Sequence, residues 1–167
     1  MIKKIFSIIL ILIPLNAFAL IEVDITRGNL NPLPLAVSPL SIDEKSRLSF
    51  EEILKKENIG SEISHIVENN LRTSGLFNPL DKNAFLQAPD IAHLKPRFED
   101  WNLIKAQALI TGKVNYQGDK LRVEFRLWDV LAAKEMMALA FTTVPTNWRR
   151  VGHIISDKIY ERLTGER

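Results

Sequence analysis

Three histidines are the first residues to test for chemistry, and none has the company that chemistry needs. His65, His93 and His153 lie far apart in the chain. On a helix, His65 would have Glu62 and Glu68 about one turn to either side, and His153 would have Asp157 on its own face. Such a pair offers two ligands, whereas a zinc site takes three or four from the protein. A surface imidazole beside a carboxylate explains the same spacing. No serine sits in a G-x-S-x-G elbow, and neither a phosphate loop nor a dinucleotide-binding glycine pattern occurs. Gly112, Gly118 and Gly152 are isolated. Arg149-Arg150 after Trp148 would suit a phosphate or a partner's acids, yet these residues equally fit a solvated helix face with one buried anchor. The expectation is a protein with no catalytic residue, no metal and no cofactor.

The first nineteen residues have the layout of an export signal. Lys3 and Lys4 precede an apolar run from Ile5 to Ile13, Pro14 breaks it, and Ala17-Phe18-Ala19 is a small-x-small cleavage site. The run falls short of the ~20 apolar residues of a spanning helix, so cleaved export without later membrane insertion is expected. Without the two leader lysines, 20 basic side chains face 20 acidic ones. That balance argues against a general nucleic-acid binder, which carries a basic excess to neutralise phosphates. No cysteine is present, and a chain of this length can bury enough apolar surface without disulfides.

The clearest organising stretch of the scaffold is Ile59 to Asp81. Ile59, Ile63, Ile66, Val67 and Leu71 recur at helical spacing, with Ser61 as a candidate N-cap and Gly75 as the stop. Leu76, Phe77 and Leu80 then give a short strand. Earlier, Pro34 to Leu40 reads as a buried strand, Ser41 to Arg47 as a polar loop, and Ser49 to Lys56 as a short helix capped by Ser49. Between Asp81 and Pro96 the pattern is mixed, with one helical turn around Ala84 to Leu86. A helix starting at Pro96 and running to about Ile104 would point Phe98, Trp101 and Leu103 or Ile104 inward.

The last third is a meander and a helix. Ala108, Ile110, Val114 and Tyr116 share one strand face, and Gln117-Gly118-Asp119 supplies a turn. Leu121, Val123, Phe125 and Leu127 alternate with Arg122, Glu124 and Arg126, so one face is buried and one wet. Trp128 has the parity of the wet face and is expected to cap it. Glu135 to Val144 forms a third strand. A final helix, capped by Thr146 or Asn147 and ended by Gly165, turns Trp148, Val151, Ile155, Ile159 and Leu163 inward.

At the start of the mature chain, Ile21, Val23 and Ile25 alternate with Glu22, Asp24 and Thr26, which is the period of an extended strand. A turn-rich linker through Arg27-Gly28-Asn29 and Asn31-Pro32-Leu33-Pro34 follows. Two readings compete. The segment is either the first strand of the sheet or a terminal strand that adds itself to the edge of another protein's sheet.

Several motifs in order resemble the TolB family. They are LRTSGLFNPLDKNAF (Leu71 to Phe85), Trp101 with AQALITGKV (Ala106 to Val114), LRVEFRLWDV (Leu121 to Val130) and WRRVGHIISDKIYERLTGE (Trp148 to Glu166). The resemblance implies an α/β fold like the anticodon-binding domain, a mixed five-stranded sheet with helices on both faces. It implies a non-enzymatic periplasmic adaptor of the Tol–Pal envelope system, serving outer-membrane integrity and cell division. It also implies that the extended amino-terminal segment docks on the carboxy-terminal domain of TolA. Carried across, that segment is Leu20, Ile21, Glu22, Val23, Asp24, Ile25, Thr26 and Arg27. The chain then divides into a signal peptide (1–19), a docking segment and linker (20–33) and the α/β domain (34–167). Family members continue into a β-propeller that contacts the lipoprotein Pal. This sequence stops at Arg167, so a fragment is expected and Pal binding is not carried over. A periplasmic ligand-binding or hydrolytic domain of the same fold, and a purely structural module, are the competing readings.

Overall fold

The computed structural model describes Ile21 and residues 31–166. The predicted leader, and most of the predicted docking segment and linker, lie outside the described residues. The chain order is β1 (Leu33–Val37), β2 (Ser41–Ile42), α1 (Glu44–Leu54), α2 (Ile59–Thr73), β3 (Phe77–Pro79), α3 (Pro89–Leu94), α4 (Phe98–Leu103), β4 (Ala108–Gln117), β5 (Lys120–Asp129), β6 (Lys134–Thr143) and α5 (Trp148–Thr164). Single 3-10 turns occupy Lys82–Ala84 and Pro145–Asn147.

One mixed sheet runs in the order β3-β1-β4-β5-β6, with the two-residue β2 also pairing with β4. The pairs β1–β3, β1–β4 and β2–β4 are parallel, while β4, β5 and β6 form an antiparallel meander. The five strands of the main path match the expected mixed sheet, and β2 adds a sixth. The β4–β5 turn needs positive φ at both central residues, and Gly118 (46°) and Asp119 (71°) supply it.

Helices lie on both faces. On one, Leu35, Val37, Ile110, Val114, Val123, Phe125 and Leu127 meet Ile63, Val67 and Leu71 of α2 and Val151, Ile155, Ile159 and Leu163 of α5. Every residue predicted to line the last helix is buried there. On the other face, Ala36 and Leu109 pack with Ala92 of α3, Trp101 of α4, Ala106 and Val130.

Two local expectations are corrected by capping chemistry. α1 begins at Glu44 rather than Ser49, because Asp43 Oδ1 accepts from the Ser46 amide at 2.8 Å; Ser49 Oγ instead donates back to the Lys45 carbonyl. The predicted polar loop is therefore β2 and the first turn of α1. Likewise α2 is capped by Asn58, which accepts from the Ser61 amide at 3.0 Å, so Ser61 lies inside the helix. Gly75 follows with φ +76°, as its predicted stop role requires.

The mixed segment between Asp81 and Pro96 is fastened by one polar side chain. Gln87 Oε1 accepts from the Arg97 amide (2.9 Å) and from Trp101 Nε1 (3.1 Å), and its Nε2 donates to the Lys95 carbonyl. The helix expected from Pro96 is the shorter α4, with Trp101 buried but Leu103 turned out to solvent, 74% exposed. Pro96 precedes it rather than opening it.

Close approach explains one glycine. A Cβ on Gly60 would run into the Leu40 carbonyl. Next to it, Ser64 Oγ accepts from the Leu40 amide at 2.9 Å and lies within hydrogen-bonding range of the Ser38 and Gly60 carbonyls. Small residues on this face of α2 thus let the helix touch the backbone between β1 and β2.

Candidate functional site

Of the predicted docking residues Leu20 to Arg27, the described structure places Ile21 alone. Leu20 and Glu22 to Arg27 lie outside the described residues. Ile21 is half-buried against the main core. Its amide donates to Asp129 Oδ2 at 3.4 Å, long for an N–H···O bond.

Asp129 is the residue that makes this contact possible, and its position in β5 is unusual. It continues the apolar parity of Leu121, Val123, Phe125 and Leu127 and is 1% exposed. A buried carboxylate is costly unless hydrogen-bonded. Asp129 Oδ1 accepts from the Ala132 amide at 2.8 Å, which shapes the turn between β5 and β6. Its second oxygen faces Ile21. The signal for this anchor was in the sequence, an acid at an inward strand position, but its partner was not.

The histidines are dispersed, as their spacing suggested, though their partners differ from those expected. His65 Nε2 lies 3.2 Å from Asn69 Nδ2 on an exposed surface, while Glu68 pairs with Arg72 and Lys82. Burial raises the pKa of Glu68, but hydrogen bonds from Lys82 and Arg72 outweigh it and leave the carboxyl below its ordinary value. His153 Nδ1 lies 2.8 Å from Asn70 Nδ2, which ties α5 to α2. His93 is buried on α3. Burial, then the charge of Arg126, pushes its pKa below 6.5. Among the described residues no group of three His, Asp or Glu is placed to hold a metal.

Trp148 is the buried anchor of the last helix, with Arg149 4.2 Å and Lys56 5.6 Å above its ring. Trp128 is not a bare cap on the wet face. Its Nε1 donates to Thr111 Oγ1 at 2.9 Å, and Phe98 packs edge-on at 5.8 Å. Both features serve packing. No described helix is long and apolar enough to cross a membrane.

The comparisons agree with the motifs. The family model described as the TolB amino-terminal domain matches residues 21–136. The Tol-Pal system protein TolB of Pelagibacter ubique (strain HTCC1062) is 77% identical over 167 residues, all of this chain and 37% of that protein. The chain thus spans little more than a third of the length of this curated relative. A crystal structure of TolB from Acinetobacter baumannii superposes with a TM-score of 0.63 at 24% identity, over 81% of this chain and 29% of that one. At that identity the likeness speaks for the fold.

Proposed function

The chain belongs to the TolB amino-terminal domain family, and from that premise we propose that it is a non-enzymatic, periplasmic adaptor module of the Tol–Pal system. It docks on the carboxy-terminal domain of TolA through the strand Leu20 to Arg27, and so supports outer-membrane integrity and cell division. The observation that carries the reading is the 77% identity, along the whole chain, with a protein named for that system.

The mechanism is strand addition. Main-chain amides and carbonyls provide attachment, and alternate side chains provide selectivity. Ile21, Val23 and Ile25 would face the partner's core, and Glu22, Asp24 and Thr26 its surface. Ile21 supports this reading in that the hydrogen bond from its amide to Asp129, at 3.4 Å, is long.

Capture by an immobilised TolA carboxy-terminal domain tests this. Protein beginning at Leu20 should be retained, and protein beginning at Pro32 should not. Equal retention of both would remove the docking claim.

A further inference from the structure

We propose a second docking surface, in which the free edge of β6 and the groove beside α5 accept an extended, acid-bearing segment of another polypeptide as an additional strand. In the function proposed above this chain donates a strand; here it receives one, and neither claim depends on the other.

Among the described residues β6 ends the sheet and pairs with β5 alone. An edge strand turns the N–H and C=O of every second residue away from its neighbour, ready for another strand. Proteins guard such edges with charge, proline or a cover. Lys134 and Glu135 guard only the beginning of β6, and from Met136 to Thr143 there is neither a charge nor a proline. Arg162 Nε reaches the Met136 carbonyl at 3.3 Å, which covers the first main-chain position. Beyond it Ala138, Leu139 and Ala140 are exposed.

The groove tells what kind of strand fits. A depression of about 240 Å³ lies between β6 and α5, lined by Phe141, Thr143, Asn147, Arg150, Val151 and Ile154. Phe141, Val151 and Ile154 form an apolar wall for the side chains that an added strand turns toward the helix. Arg150 stands in the same groove, exposed and without an ion pair among the described residues. A guanidinium beside an apolar wall and an open main-chain ladder selects a carboxylate on an extended peptide. One cation in the groove is a poor match for a polyphosphate backbone, which needs many.

The test uses the chain from Leu20 and two ten-residue peptides, one alternating valine with glutamate and the other valine with lysine. Nuclear magnetic resonance should show the glutamate peptide shifting the amides of residues 137–143 and slowing their hydrogen exchange, with the lysine peptide binding about tenfold more weakly. Arg150→Glu should reverse that order, and Ile154→Glu should weaken both. The protein beginning at Pro32 should bind the glutamate peptide unchanged, which separates this surface from the amino-terminal strand. The proposal is overturned if the β6 amides stay unperturbed at saturation, or if both peptides bind the wild-type protein equally. It is also overturned if a concentration-dependent dimer already protects β6, since a second copy would then be the occupant.

Discussion

The two faces of the sheet are built from the same strands and behave as different materials. The face under α2 and α5 is one continuous apolar layer from β1 to β6. The opposite face is divided. Toward β1 and β4 a small cluster sits under the short helices α3 and α4. Toward β5 and β6 the face carries ion pairs instead, Arg122 to Glu124 and Arg126 to Glu135. The first face is held by area removed from water, with ~1.5–3 kcal/mol for each large side chain fully buried. The second depends on a few directed hydrogen bonds, each of which matters because few apolar contacts stand behind it.

The contrast can be broken from either side. The largest effect is expected in the continuous layer. Phe125 is 1% exposed and stacks against Phe141 with ring centroids 6.1 Å apart. Phe125→Ala should cost ~3–5 kcal/mol in urea unfolding, lowering the global transition without changing its cooperativity. A loss below ~1 kcal/mol would mean that this layer is not the main source of stability.

A smaller and more local effect is expected at Gln87. Gln87→Leu would leave the Trp101 Nε1–H and the Arg97 amide without their shared acceptor. An unsatisfied buried donor costs ~1–3 kcal/mol. Hydrogen exchange should quicken across residues 87–103 while the amides of α2 and α5 keep their protection. Equal loosening on both faces would show that the two regions are not independent.

The smallest effect is in pH dependence and belongs to the divided face. His93 sits among Arg126, Glu124 and Lys113. Its folded pKa is depressed below 6.5, by burial first and then by Arg126. The unfolded chain therefore takes up the proton earlier as acid is added. This contribution to stability is complete above pH 6.5 and is lost as pH falls through the folded value. Melting temperature should decline on acidification below pH 6.5, and His93→Gln should flatten that decline. An unchanged slope in the variant would assign the acid sensitivity to carboxylates such as Glu68.

How much of this was visible beforehand follows the same division. The alternation from Leu121 to Leu127, the helical spacing from Trp148 to Leu163, and the stops at Gly75 and Gly165 all recur in the structure. The stretch from Asp81 to Pro96 resisted reading because its order comes from Gln87, whose three partners lie 8, 10 and 14 residues away. The start of α1 is not legible in the sequence because Asp43 and Ser49 are both acceptable caps by type. Only the packed position of Ser46, whose hydroxyl accepts from the distant Tyr116 amide at 2.9 Å, favours Asp43. For the docking segment, the alternation of Ile21, Val23 and Ile25 was legible, but the acceptor for the Ile21 amide was not.

What the sequence determined by itself was periodicity, and with it which side chains turn toward a core. Those properties follow from backbone geometry over a few residues. The tertiary structure decided which faces the described helices cover, that Asp129 ends up beside Ile21 across 108 positions, and that β6 has β5 on one side and, among the described residues, no strand on the other. Each of these depends on contacts between segments far apart in the chain, and a buried or unpaired group acquires its meaning only from what folding brings next to it.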